Sequence, residues 1–374
     1  MEKTSVMKIV HVLNSVARGG AENLVINLAH QMTLKGHEVV IISLTDKVEY
    51  TNLIDEYGIK VVSCGFIGTI FSINKLFTSF RKLQLEVNKI QPDIIHSHIF
   101  LADVLVRALK LPNLCLITTF HSPEPWWDKS DIKSRLKTWL EGITARNRVK
   151  RYIAVSEEAK IMAVKYLGVQ SNYVKVVMNG VDTELFQPSQ GVKKDQLIVI
   201  HVARYYPEKA HELLITAFVL VVKKIPEAEL WLVGDGPLCH KMKALVEQLG
   251  IQNNIKFLGL RSDIATLMQL ANIFTLPSER EGLPISLLEA MATGLPVVVT
   301  RVGEMSNVVE HETNGLLIEC RDSSAISNGL LRLALDKSFS TILGENARVT
   351  IINNYSITST ANEYLAVYDQ ALNT

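Results

Sequence analysis

The sequence predicts a doubled α/β architecture, two parallel sheets in series with helices on their faces. Three observations carry this. Short apolar runs alternate with helical patterns along nearly the whole chain, which is the signature of parallel sheets. The runs are apolar throughout rather than every second residue, as expected of strands buried on both faces. The alternation pauses at a polar, turn-rich stretch over residues 188–195 and then restarts. At 374 residues the chain is long for one core and suited to two domains. The reading places a first domain at 1–187, with 356–374 returning to it, and a second at 188–355.

In the first half the opening run Lys8–Asn14 leads through Ala17-Arg18-Gly19-Gly20 into a helix pattern at Ala21-Glu22. Glycines between a strand and a helix start let backbone and N–H groups approach a phosphate. The Gly-x-Gly-x-x-Gly dinucleotide fingerprint is missing, so Gly19 and Gly20 are by themselves no more than a turn. Strand runs follow at Val39–Ser43, Lys60–Ser63, Ile94–His96, Leu114–Thr118, Tyr152–Val155 and Val174–Val177. Ligands of such sheets sit outside the carboxyl ends of strands. Polar clusters fall there: Asp93 to His98, Thr119-Phe120-His121-Ser122, and Ser156-Glu157-Glu158. His96 and His98 alone, with no third ligand nearby in sequence, do not make a metal site.

In the second half strands are expected at Leu197–Ala203, Glu229–Val233, Lys256–Leu258, Ile273–Leu276 and Val297–Thr300, with helices to the end. Arg204 follows the first of these, and Lys209 lies just inside a helix that Pro207 can open. Two cations at a helix N-terminus make an anion site by charge and dipole together. After Ile273–Leu276 comes Ser278-Glu279-Arg280-Glu281-Gly282-Leu283-Pro284, then a helix marked by Ile285, Leu288, Met291 and Ala292 and ended by Gly294. Pro284 is expected at its first position. Glu281 and Glu289 therefore flank a helix N-terminus, with roughly 7–8 Å of rise between Pro284 and Glu289.

Glu281-x7-Glu289 within EGLPISLLEAMATGLPVV resembles the signature of retaining GT-B glycosyltransferases of family 4, and the resemblance covers essentially the whole chain. It implies two Rossmann-like domains with parallel sheets facing across a cleft. It implies that Gly19-Gly20-Ala21-Glu22 closes over a donor diphosphate and that His121 touches the transferred sugar or its phosphate. Arg204 and Lys209 would grip the diphosphate, Gly282 and Leu283 would offer backbone N–H groups, Glu281 would meet the sugar and Glu289 the ribose. Asn179-Gly180-Val181-Asp182, Gly234-Asp235-Gly236-Pro237 and Phe257-Leu258-Gly259-Leu260 match family loops. Two departures stand out. Val302-Gly303-Glu304-Met305-Ser306-Asn307 lacks the second Gly, the Pro and the Glu of the family's Gly-Gly-x-Pro-Glu, and Ala210 stands where Gly is common.

The implied reaction is metal-independent, retaining hexosyl transfer from a nucleotide-diphosphate sugar, with no cofactor. No Asp-x-Asp is present to hold a cation. A two-carboxylate glycosidase is disfavoured because neither Glu281 nor Glu289 has a partner in sequence that would raise its pKa. A sugar-nucleotide epimerase or a phosphorylase of the same fold, and a non-catalytic nucleotide-sugar binder, are the alternatives.

Composition sets the remaining bounds. Net charge is +1, which argues against nucleic acid as partner. The first 185 residues hold 23 Lys+Arg against 18 Asp+Glu, the rest 16 against 20. Cys64, Cys115, Cys239 and Cys320 form no paired motif, which suits a reducing cytoplasmic compartment. No secretory leader is read at Met1 to Leu13, and the longest apolar run, Leu213–Val222, is far short of the ~20 residues of a membrane span. Arg135, Lys137, Arg146, Arg148, Lys150 and Arg151 oppose a single acid, Glu141. Trp126-Trp127 precedes them, and Phe71, Phe77 and Phe80 accompany Lys75, Arg81 and Lys82. Cations beside bulky apolar groups suit an anionic bilayer surface, the alternative being a solvated helix with its apolar face in the core. Family 4 members of this kind extend lipid-linked saccharides of bacterial envelope polymers such as O-antigen, capsule or exopolysaccharide. The expectation is a peripheral enzyme with a saccharide acceptor carried on lipid.

Overall fold

The computed structural model describes residues 6–17, 19–66, 73–109, 114–121, 126–127, 129, 131–189, 191 and 196–373. The chain divides into two compact units, 1–179 with 357–374, and 180–356.

The first unit carries a sheet of seven strands: β1 (Lys8–Leu13), β2 (Glu38–Ser43), β3 (Lys60–Ser63), β4 (Ile94–His98), β5 (Cys115–Phe120), β6 (Arg151–Ala154) and β7 (Val174–Val176). Their order is β3-β2-β1-β4-β5-β6-β7, every pairing parallel. The second unit carries six: β8 (Ile198–Val202), β9 (Glu229–Val233), β10 (Ile255–Gly259), β11 (Ile273–Leu276), β12 (Val297–Thr300) and β13 (Leu316–Ile318). The order β10-β9-β8-β11-β12-β13 is again wholly parallel. The two-domain α/β class with parallel sheets is thus what the chain adopts. Each sheet reverses its winding once, between β1 and β4 and between β8 and β11, and these are the switch points where such sheets bind ligands.

Helices bury both faces of each sheet. Val199, Leu230 and Leu232 pack under Leu214, Phe218 and Val221 of the helix His211–Lys224. Val10, Val12 and Ile95 pack against Ala102, Leu105 and Val106 of the helix Phe100–Ala108. The last helix, Ile357–Leu372, belongs to the first unit, where Thr358 donates to Gln31 and Tyr368 is buried.

The division falls earlier than the expected 187/188. Val181 N–H donates to Tyr355 O, and Arg348 donates to Phe186 O, so the Asn-Gly-Val-Asp segment from Gly180 on is held by the second unit. Most of the proposed linker, 190 and 192–195, lies outside the described residues. β13 is not among the strands expected from the sequence.

Candidate functional site

In the second unit the candidate residues converge at the carboxyl ends of β8, β11 and β12. Pro207–Lys209 is a single 3-10 turn rather than the start of the α-helix. Ala210 follows at φ +53°, and the helix begins at His211. The kink comes from Ala210, whose left-handed backbone both ends the turn and caps the helix. Lys209 is thereby aimed at Glu281, Nζ to Oε1 at 2.6 Å, with only 16% and 8% of the two side chains exposed. The same Oε1 accepts from Ser278 Oγ at 2.7 Å, and Ser278 O accepts from Thr300 Oγ1 at the end of β12. Glu279 N–H donates to Glu208 O (2.8 Å), tying the two loops together.

Gly303 closes the other side. It sits at φ +50°, and a Cβ there would lie 2.0 Å from the Glu281 carbonyl oxygen. Glu304 N–H donates to Gly282 O, and the buried Glu304 carboxylate accepts from Asn307 Nδ2. Here the family's second Gly, Pro and Glu are missing, yet the one retained glycine lets this loop touch the Glu281 backbone. Arg204 is exposed, its guanidinium over the Tyr206 ring at 5.1 Å, and no ion pair to it occurs among the described residues.

The helix Ile285–Ala292 has Pro284 as its N-cap, one position earlier than expected, in extended conformation. Gly282 and Leu283 lead into it. Glu289 lies on its buried face at 8% exposure, and burial pushes its carboxyl up to about 7. The cause is burial and not a neighbouring residue, which sequence spacing does not show. The glycosidase reading stays disfavoured because it leaves the cations Arg204 and Lys209 beside this helix without a role.

In the first unit Gly19 is the N-cap and Gly20 the first residue of the helix Gly20–Leu34, at the end of β1. Arg18 of that turn and Ser122 after His121 lie outside the described residues. His121, just past β5, is half-buried, and its Nε2 lies 3.0 Å from His98 Nδ1. His98 Nε2 lies 3.0 Å from Nδ1 of His11. His11 and His96 are register partners on β1 and β4, and all three interior rings are fully buried. Burial lowers the pKa of His11 to about 3 and of His121 to about 4, and holds His96 and His98 well below the ordinary value. His11, His96 and His98 bring ring nitrogens within 4.8 Å of one another, so the third ligand the sequence did not show exists. His96, however, spends both nitrogens on hydroxyls, Nδ1 on Tyr368 and Nε2 on Thr119. The cluster is hydrogen-bonded rather than presented to an ion. His11, Ser278 and Gly303 are contributions that sequence reasoning missed.

Residues 18–185 match the family model for Glycosyltransferase Family 4, and residues 182–350 match that for Glycosyl transferases group 1. A UDP-Gal:alpha-D-GlcNAc-diphosphoundecaprenol alpha-1,3-galactosyltransferase of Escherichia coli is 29% identical over 82% of this chain and 81% of its own. A D-inositol 3-phosphate glycosyltransferase of Corynebacterium glutamicum is 26% identical over 76% and 73%. The fold matches the crystal structure of Anabaena HepE, which holds UDP and glucose, with a TM-score of 0.84 at 22% identity over 97% of this chain and 99% of that one.

Proposed function

The chain belongs to the GT-B glycosyltransferases of family 4, and from that premise we propose that it moves a hexosyl group, with retention, from a nucleotide-diphosphate sugar to a lipid-linked saccharide of a bacterial envelope polysaccharide. The observation that carries the donor half of this reading is the cluster at the β8/β11 switch point. Arg204, Lys209 and the N-terminus of Ile285–Ala292 gather positive charge where a diphosphate would leave. Breaking the C–O bond through an oxocarbenium-like state puts new charge on that phosphate, and preorganised donors at such a point are worth roughly 3–4 kcal/mol each in other enzymes. In this reading Glu281 lies toward the sugar, Glu289 toward the ribose, Gly19 and Gly20 over the diphosphate, and His121 against the sugar or its phosphate. Side chains supply the cations, so no metal and no cofactor is used. The donor's own phosphate takes the acceptor proton.

The lipid-linked acceptor is supported by the helix Ile132–Arg148. Ile132 (85%), Leu136 (57%) and Trp139 (60%) are exposed along one stripe, while Ser134, Glu141, Gly142 and Ala145 face inward. The alternative, a solvated helix with its apolar face in the core, does not describe these three residues. Lys133 and Arg135 stand beside the stripe, and a cavity of roughly 400 Å³ next to it is lined by Lys129, Arg135, Arg146 and Lys165. Apolar groups ringed by cations fit an anionic bilayer, each cation near the surface being worth about 1 kcal/mol and screened by salt. Phe77 is also exposed, under Arg81; Phe80 packs in the core, and Phe71 lies outside the described residues. No helix among the described residues is long and apolar enough to cross a membrane. The E. coli relative, whose name specifies a diphosphoundecaprenol acceptor, supports the same choice.

A panel of UDP-, GDP- and ADP-sugars, each with and without a diphosphate-lipid saccharide, tests the reaction. One donor should release nucleotide only with acceptor and give a product of unchanged anomeric configuration. Inversion, or release indifferent to acceptor, refutes it. Co-sedimentation with anionic vesicles tests the surface. Binding should fall in Leu136→Ser/Trp139→Ser. Replacing Arg146 or Arg148 is a poorer probe, because they donate to Gly142 O and Leu109 O.

A further inference from the structure

The hydrogen bonds of the interior histidines restrict one another. Three neutral rings in a row, His11, His98 and His121, offer six nitrogens and three protons. The two N···N contacts of 3.0 Å each require one proton between them. Only two arrangements satisfy both contacts. In the first, His11 Nδ1–H donates to His98 Nε2, His98 Nδ1–H donates to His121 Nε2, and His121 carries its proton on Nδ1 at the open end. In the second every bond runs the other way, and His121 ends in a bare Nδ1 lone pair.

The inner end of the row separates them. His11 Nε2 is buried with no hydrogen-bond partner among the described residues. The first arrangement leaves a lone pair there, the second an N–H. Orphaned buried N–H groups are the rarer of the two in folded proteins, and under-satisfied acceptors are better tolerated. His11 lies on β1 and His98 at the end of β4, so the row runs along the switch point of the first sheet and comes out at His121. The burial that keeps these rings uncharged supports the same accounting.

We infer that His98, backed by His11, is a positioning residue that fixes His121 in its Nδ1–H tautomer, so that His121 offers a hydrogen bond to an oxygen of the donor and cannot act as a general base through that nitrogen. The role of this hydrogen bond in turnover rests on the proposed contact between His121 and the donor; the tautomer does not. The Nδ1–H form is the one a free histidine side chain disfavours in water, which makes it diagnostic. Which ring nitrogen carries the proton is set by the partner of the other.

Two-bond ¹H–¹⁵N correlation spectra of histidine-labelled, full-length protein at neutral pH read the tautomer directly. The wild type should show His121 with a protonated Nδ1 and a bare Nε2. His98→Asn, whose amide N–H can replace the His98 Nδ1–H, should keep that pattern. His98→Leu, which removes the donor, should return His121 to the Nε2–H form. A protonated Nε2 in the wild type overturns the inference with no variant needed, and so does an unchanged Nδ1–H form in folded His98→Leu. In the donor assay kcat should fall roughly 10- to 100-fold in His98→Leu, the scale on which losing an outer orienting group acts. His98→Asn should lose less, with donor KM moving less than kcat in both. A confirmed tautomer with equal kcat in the two variants would uphold the relay and refute the contact of His121 with the donor.

Discussion

The Lys209–Glu281 pair makes a prediction that a simple phosphate-grip picture does not. At 2.6 Å and an effective dielectric of about 20, the attraction is roughly 6 kcal/mol before either group's desolvation is subtracted. Because both side chains are mostly buried, that subtraction is large, and the net value of the pair is modest. Removing only Lys209 leaves the Glu281 carboxylate buried with Ser278 still donating to it, which should cost about 3 kcal/mol of stability, the scale of breaking a buried pair. It also leaves an unneutralised carboxylate beside the site proposed for a diphosphate. Lys209→Met should therefore lose nucleotide affinity twice, through the missing cation and through the added repulsion. Lys209→Met/Glu281→Gln removes the repulsion as well, so it should bind the nucleoside diphosphate about tenfold more tightly than Lys209→Met alone, a gain of about 1.4 kcal/mol. Urea unfolding of the wild type, both single variants and the double variant gives the coupling in stability, and titration calorimetry gives it in binding. A coupling near 2 kcal/mol is expected in stability. Values below about 0.5 kcal/mol, the ordinary error of additivity, would refute the pair as an energetic unit. A double variant that binds no better than Lys209→Met would refute the electrostatic argument.

Three further outcomes follow from single positions. Glu289 has its folded pKa raised by burial from 4.5 to about 7, so its contribution to stability is fully present below 4.5 and is lost as pH rises through 7. Glu289→Gln does not titrate, and its urea midpoint should gain on the wild type from pH 5 to pH 8 by the equivalent of about 2.5 kcal/mol; a constant difference would refute the shift. Gly303→Ala places a Cβ against the Glu281 carbonyl at positive φ and should destabilise the second unit by more than about 3 kcal/mol, a loss that an unchanged thermal midpoint would contradict. Ala210→Gly relieves a left-handed alanine at a turn, and the stability from urea unfolding should rise by about 0.5–1 kcal/mol after the looser unfolded chain is counted.

Much of the fold is legible in the sequence for one physical reason: parallel strands covered on both faces are apolar along most of their length, and each such run ends where a ligand-facing loop begins. The loop and helix from Ser278 to Gly294 could be read because its turn, helix and terminating glycine are all local. What could not be read is what joins distant segments. Lys209 and Glu281 are 72 residues apart, His11 and His98 are 87 apart, and no pattern in either stretch announces the other. Gly303 looks like any loop glycine until the Glu281 carbonyl is seen against it.

The helix Ile132–Arg148 shows the same limit in a sharper form. Periodicity locates its apolar stripe but cannot say which side of the helix is buried; the partners decide that. Gly142 brings the backbone so close to the next helix that a Cβ there would lie 3.1 Å from Leu167 O. Glu141 turns inward, accepts a hydrogen bond from Trp127 Nε1 at 2.9 Å, and is pushed up to about 7 by burial. Buried Arg107 donates to the Glu141 carbonyl. Small and polar residues thus fill the inner face, where apolar ones would serve stability more simply, and Ile132, Leu136 and Trp139 are left to the outside. Folding the unit does not require that arrangement. The anionic, apolar-tailed acceptor proposed above accounts for it, and the exposed stripe supports that proposal as the Lys209–Glu281 site supports the proposed nucleotide-sugar donor.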